Sequence, residues 1–453
     1  MLQRLLAWLF PARQPQATPP PCGTPASDAL SVDGEKSVIR REPVLDRQQH
    51  LIGYELGLRQ GKGLQQRESS RNLRDKMLLS HLQMLDLGRL LGNRSAFIHL
   101  DVRHISDPVL ASLPARQMVL LLELSDGVLA EPLFEIVSAY RSLGMRFGLS
   151  IRQHRHPLAT LLQPLLSFVL LEPDDPLTWS SSAADWIGSL NHVQLLARHI
   201  DSEEAFLSAH RSLLYGGKVE LFHGNFITQR HPWPSHPVEP GRMQIIELMN
   251  QLHNEADNEQ VANTLKQDSV LLYRILRLVN SPALRSGQPI SSAEDALMVL
   301  GREQLFRWLT VLLFQLDGEA ARDLSLLDMA LIRARFMETL GGPSQSPQEA
   351  NQRFLVGLFS LLDVLLQIPL ERALGLLQLP ESVSQALLQQ SGPHAAYLQL
   401  AQMCEGDELE GLADAAGSNQ PELEPLLQQL RLLPHQVDTC HLSALLWAES
   451  LRP

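Results

Sequence analysis

Two charged residues four apart, Glu55 and Arg59, sit in the glycine-spaced segment Gly53-Tyr54-Glu55-Leu56-Gly57-Leu58-Arg59. More groups able to do chemistry follow at His99, at Glu123, in the triplet His154-Arg155-His156 and at Arg198. Carboxylates suit hard divalent cations, and imidazoles suit transition metals. Metal-assisted hydrolysis needs several such ligands converging on one point. Blander alternatives stand beside that chemistry. Glu55 and Arg59 can simply pair with neighbouring charges. His154 and His156, one residue apart in a loop that follows a strand, read more readily as solvated side chains than as partners of His99 and Glu123 around a metal.

The elements that must position these residues alternate. Strand candidates are Val38–Val44, Leu51–Leu58, Ala96–Asp101, Met118–Leu124, Arg146–Ile151, Phe168–Leu171, Val193–Ala197 and Lys218–Phe222. Met118-Val119-Leu120-Leu121-Leu122 is a continuous apolar run, as expected of a strand buried on both faces of a parallel sheet. Segments such as Glu131–Ser142 and Ser202–Leu214 carry helical periodicity between them. This order favours a (β/α) barrel over an open sheet. Residues 229–240 then carry four prolines and no periodic pattern, which reads as a linker. The remainder is helical and Leu-rich, with Asp268 placed to cap one helix and Asn280 to end it.

The chain has 453 residues, a hydrophobic fraction of 44% and a charged fraction of 19%, which suit a soluble two-domain protein. A net charge of −12 argues against general nucleic-acid binding, since lysine and arginine excess supplies that affinity. No apolar run approaches the roughly 20 residues of a membrane span. Cys22, Cys404 and Cys440 are too scattered for a CxxC pair or a disulfide framework, so a reducing cytoplasm is the expected compartment. Residues 1–37 read as a disordered or weakly amphipathic tail.

Arg41-Glu42-Pro43-Val44-Leu45-Asp46 with Leu51–Arg59 resembles the opening of the EAL family of cyclic di-GMP phosphodiesterases, a resemblance that runs to about Arg230. It implies that Glu55 stands at a metal-ligand position and Arg59 at a phosphate-binding one, with Glu123 as a further ligand. The resemblance also breaks down where charge matters. His99 occupies the place of an Asn ligand. The family's Asp-Asp pair should fall near Ser150-Ile151, which carries no carboxylate, and its catalytic Lys should fall near Leu170. No lysine occurs between Lys76 and Lys218. Arg198 in Arg198-His199-Ile200-Asp201 puts a cation where a base or a ligand belongs, and His223-Gly224 replaces a Gln-Gly pair.

The helical part resembles the HDOD family through Gln267–Leu271, Leu276-Arg277-Leu278-Val279-Asn280-Ser281 and Ile290–Leu297 leading to Leu300-Gly301-Arg302. In catalytic HD relatives a His-Asp pair meets a metal. Here the matching helix reads Gly357-Leu358-Phe359-Ser360-Leu361-Leu362-Asp363, which leaves Asp363 alone. The resemblance implies a multidomain chain: a (β/α) barrel-like EAL domain over 38–230, a Pro-rich linker over 231–240 and an all-α HDOD domain over 241–453. It further implies a bacterial signalling adaptor that binds other proteins, with no cofactor, no metal and no catalysis. Arg277, Asn280 and Ser281 are its candidate contact residues, and self-association suits the Leu-rich helices. The alternative is a cyclic di-GMP receptor that does not cleave its ligand, acting through Glu55, Arg59 and Glu123. An active phosphodiesterase comes last.

Overall fold

A computed structural model describes residues 37–60, 68–190, 192–211, 219–230, 237–280, 290–314, 321–342, 345–406 and 422–450. The expected N-terminal tail, up to residue 36, and most of the expected linker lie outside the described residues. Two compact units divide the chain at 229/230, 395/396 and 446/447. One joins 37–229 to 396–446, and the other holds 230–395 with 447–450.

In the first unit eight strands close a barrel in sequence order: β1 (Ser37–Asp46), β2 (Leu51–Gln60), β3 (Ser95–Asp101), β4 (Met118–Glu123), β5 (Arg146–Ser150), β6 (Phe168–Leu171), β7 (Gln194–Ala197) and β8 (Val219–His223). All eight strand candidates are present. Six neighbouring pairs are parallel, from β2–β3 through β7–β8, and helices connect them. β1 differs, running antiparallel to both β2 and β8. The cause is local: four residues between β1 and β2 are too few for a crossover helix. Asp46 closes this turn by accepting the Gln48 and His50 amides at 2.9 and 2.8 Å, with Gln49 left-handed at φ 67°.

Val44, Phe97, Val119, Leu121, Phe168, Leu170, Leu196 and Leu221 fill the barrel. The two-residue period of a strand places Glu42, Glu55, His99, Glu123, Ser150 and Arg198 on the same inward side, one or two steps further along. Gly148 is required here, because a Cβ would lie 2.8 Å from Leu121 and 3.1 Å from Leu170. The apolar layer is therefore closed across its middle, and the charged side chains gather at the end where the parallel strands finish.

The last helices depart from the boundary drawn in the sequence, which ran the helical domain to 453. Residues 396–446 belong to the barrel unit. Their physical role is edge cover. β1 pairs with β8 only over Val44–Asp46, so its earlier amides need other acceptors. The Arg41 amide donates to the Cys404 carbonyl at 2.9 Å, and the Ile39 amide to Asp438 at 2.7 Å.

The second unit is helical. Among its described helices are Pro240–His253, Asn258–Gln267, Ser269–Val279, Ala293–Leu300, Arg302–Leu313, Ala321–Leu340 and Pro347–Phe359. Ala321–Leu340 and Pro347–Phe359 pack most intimately, because Gly357 lets their backbones approach: a Cβ there would lie 2.5 Å from Ala334 Cα. Asp268 caps Ser269–Val279 as expected, accepting the Val270 and Leu271 amides at 2.9 Å each.

Candidate functional site

Glu55 is buried, with 4% of its side chain exposed, yet it faces three cationic or protonatable groups. Arg198, from just beyond β7, donates to its Oε1 at 2.9 Å. His99 Nε2 approaches the same oxygen at 3.4 Å, and His223 Nε2 approaches Oε2 at 3.4 Å. His223 is itself shared with a second buried carboxylate, lying 3.1 Å from Glu42 Oε2, while Arg40 reaches the other oxygen of Glu42 at 2.7 Å.

Burial alone would raise the Glu55 pKa, but Arg198, then His223 and His99, outweigh it and hold the carboxyl well below the usual range. For His223 burial works toward deprotonation, and the charges of Glu55 and Glu42 reverse it, so its pKa is raised. The cluster is thus charge-compensated from within.

The remaining carboxylates of the mouth are also engaged. Asp101 takes both arms of Arg103 at 3.0 and 2.7 Å and the Ser125 hydroxyl at 2.6 Å. Arg152 pairs with Glu172 at 2.7 Å and also with Asp175. It stands just after Ser150-Ile151, so this part of the mouth offers a cation where acidic residues were sought. Glu123 is more open and lies 3.9 Å from His99 Nδ1.

His154 and His156 do not assemble with it. His154 Nδ1 bonds the Ile151 carbonyl at 2.8 Å beside Trp186, and His156 accepts the Leu158 amide while its Nε2 lies 3.4 Å from Asp126. Among the described residues no group of three His, Cys, Asp or Glu side chains is arranged to hold a metal ion. A divalent cation of the kind the EAL resemblance implies does not fit these residues. Glu55 Oε1 already accepts from Arg198 at 2.9 Å, which puts a guanidinium on the carboxylate such a cation would need most, while Oε2 makes no hydrogen bond and has His223 Nε2 at 3.4 Å. Arg59 is near the mouth, and its guanidinium donates to the Met403 carbonyl at 3.3 Å.

Sequence reading found Glu55, Arg198 and His99 but missed Glu42 as a member. Its signal was available: Glu42 has the same parity as core Val44 on β1 and lies directly opposite Glu55 in the β1–β2 register. That pairing is long-range information, supplied by the hairpin rather than by any motif.

The helical unit repeats the pattern with other residues. Asp363 is 1% exposed and pairs with Arg230, which also donates to the Ser360 carbonyl at 2.9 Å. Arg333 donates to the Ser360 hydroxyl at 2.7 Å. The sequence identified Asp363 and Ser360; neither arginine was legible as their partner. Asn280 turns inward on the chain itself, donating to the Leu276 and Ile290 carbonyls at 2.8 and 2.7 Å and accepting the Ile290 amide at 2.8 Å. Arg277 is exposed on the same helix, and Ser281 lies outside the described residues.

Residues 239–365 match the model of the HDOD domain, a span that contains Asn280, Ser360 and Asp363. The chain carries an HDOD domain. The eight-stranded barrel precedes it, the order that the resemblance in the sequence implies. Two similar proteins span nearly the whole chain. The uncharacterized protein YuxH of Bacillus subtilis is 24% identical over 423 residues, covering 91% of this chain and 98% of that one. A protein of Vibrio cholerae named cyclic di-GMP phosphodiesterase CdgJ is 24% identical over 401 residues, covering 86% and 90%. Solved structures with similarity include an EAL domain protein from Listeria monocytogenes, at 12% identity and TM-score 0.33, covering 45% of this chain and 94% of that one. Another is the Bacillus subtilis YkuI protein with an EAL domain, in complex with cyclic di-GMP and calcium, at 13% identity and TM-score 0.32, covering 61% and 73%. Among the described residues no helix is long and apolar enough to cross a membrane.

Proposed function

We propose that this EAL-HDOD protein is a signalling adaptor that does not cleave cyclic di-GMP and acts by binding other proteins. The observation that carries this reading is the Arg198–Glu55 pair, because a guanidinium on the first carboxylate competes directly with a divalent cation. The missing lysine between Lys76 and Lys218 and the arginine pairs on Asp101, Glu172 and Asp175 support it. The HDOD domain adds a surface suited to protein contact. Val270, Tyr273 and Arg277 recur at helical spacing on one exposed face of Ser269–Val279, with Tyr273 64% exposed. Met298, 69% exposed, lies on the packed neighbouring helix Ala293–Leu300.

A second reading, a receptor that holds cyclic di-GMP without cleaving it, is favoured by one observation: Arg59, at the position where the resemblance implies phosphate binding, stands near the mouth. Calorimetric titration of the full chain with cyclic di-GMP in the presence of Mg²⁺ or Mn²⁺, followed by assay for the linear dinucleotide, separates the readings. Neither heat nor product is the adaptor result. Heat without product promotes the receptor, and product from a metal-dependent reaction sinks both.

A further inference from the structure

Most arginines of the helical unit are engaged within it. Arg230 reaches Asp363, Arg242 reaches Asp323 at 3.0 Å, and Arg307 and Arg335 share Glu338 at 3.4 and 2.7 Å. Arg274 and Arg277 differ. Neither has a hydrogen-bonding or ionic partner among the described residues, and Arg277 is exposed. Val270, Tyr273, Arg274 and Arg277 stand at i, i+3, i+4 and i+7 of Ser269–Val279, one stripe about 10 Å long. Leu271, Ile275 and Leu278 hold the opposite face in the core. Val270 is 59% exposed, and Met298 and Val299 add exposed apolar surface on the packed neighbouring helix Ala293–Leu300. The acidic side chains beside the stripe are occupied: Asp268 by the two amides it caps, Glu294 by Lys266, and Asp295 by the Ser292 hydroxyl at 2.7 Å.

We infer that this face docks an acidic amphipathic helix of a partner protein, with apolar side chains on Val270, Tyr273 and Met298 and carboxylates on Arg274 and Arg277. The inference rests on the adaptor reading and gives its partner a chemistry. Tyrosine, methionine and arginine are the residue types that interface cores favour, and two guanidiniums without internal partners offer bidentate bonding to carboxylates. A stripe spaced over two helical turns, with a second helix beside it, makes a groove that a third helix fits with its own i, i+4 and i+7 positions. Charge selects against the other occupants. A two-fold contact with a second copy would set these arginines against each other. A nucleic acid needs a broad basic surface, whereas this stripe is flanked by Asp268, Glu294 and Asp295 on a chain of net charge −12.

The test is selection of random peptides displayed on phage, with the full chain as bait and Tyr273→Glu as counter-bait. The strongest binder, made as a labelled synthetic peptide, is titrated by fluorescence anisotropy into the wild type, Arg277→Glu and Arg274→Glu/Arg277→Glu. Each variant is checked for an unchanged melting transition, and Arg277→Glu carries the test alone where the double variant does not fold. The expected binders place apolar residues three and four apart with Asp or Glu beside them, and the arginine variant weakens binding about tenfold. Basic binders, binders indifferent to the arginines, or none that depend on Tyr273 overturn the inference. So does a dimer in sedimentation that Tyr273→Glu dissolves, or a single-stranded oligonucleotide that binds the wild type and not the arginine variant. The adaptor reading falls by a different result, linear dinucleotide formed from cyclic di-GMP.

Discussion

Glu55 in the barrel and Asp363 in the HDOD domain are buried carboxylates that both pair with arginine, but they are built differently. Glu55 sits in a network with a second carboxylate and two histidines, fed by Arg198, which is largely buried. Asp363 is served by Arg230, whose side chain is 49% exposed and which makes a fork to a carboxylate and a carbonyl. The difference lies in the partners and not in depth: Asp363, at 1% exposed, is served by one half-exposed arginine, whereas Glu55, at 4%, is embedded among histidines and a second carboxylate whose protonation is coupled to its own.

The largest effect is expected where the network is deepest. Arg198→Met leaves Glu55 and Glu42 with only histidines and Arg40 between them, and should cost the barrel unit about 3 kcal/mol, the general consequence of breaking a buried pair. Chemical denaturation read separately for the two units measures it, and Glu55→Gln in the same chain should recover much of the loss. A change below 0.5 kcal/mol, on the scale of about 0–1 typical of surface pairs, would mean the pair is not a substitute charge at all. Arg230→Ala is the matching test in the HDOD domain. Its expected cost is smaller, about 1.5 kcal/mol, because solvent already screens half of that arginine.

The histidines give the comparison a pH axis. His223 has a raised pKa in the folded barrel, so its contribution is full below its unfolded value near 6.5 and is lost as pH rises through the raised value. Glu55 has the opposite sign. Its depressed pKa gives stability that is present above about 4.5 and lost as pH falls through the folded value. Asp438, pushed up to about 6 mainly by burial, costs stability as pH rises from its unfolded value near 4 through about 6, an acidic window below that of His223. In the HDOD unit His394 is lowered by burial and by Arg353, so stability there falls as pH drops below the unfolded histidine value. Unfolding midpoints measured across pH should show the barrel weakening on the alkaline side. His223→Gln should remove that limb and leave the acidic change near the Asp438 value of about 6. An identical alkaline limb in both units would erase the distinction.

The smallest expected effect is local to the HDOD domain. Asn280→Ala removes three hydrogen bonds, two of which tie the end of one helix to Ile290, and should cost about 1 kcal/mol of that unit alone. If partner capture is lost while the melting transition stays unchanged, Asn280 would be a contact residue rather than a clasp.

Much of this was legible in the chain. All eight strands were placed in the sequence, several of them as continuous apolar runs, and the EAL resemblance marked Arg198 as a cation where a base or a ligand belongs, but its pairing with Glu55 was not legible. What escaped needed closure in space. Glu42 joins the site through hairpin register, and Arg230 reaches Asp363 across 133 residues. The helices of 396–446 looked like a continuation of the helical domain, since helical periodicity reports a buried face without naming what buries it. Only the uncovered amides of β1 explain why they return.

The most direct measurement is chromatographic assay of the full chain for linear dinucleotide from cyclic di-GMP with Mn²⁺, with Glu55→Gln run beside the wild type. The expected result is no product above the blank from either. Metal-dependent turnover by the wild type that disappears in Glu55→Gln would contradict the account, because Glu55 would then be holding a metal in place of Arg198.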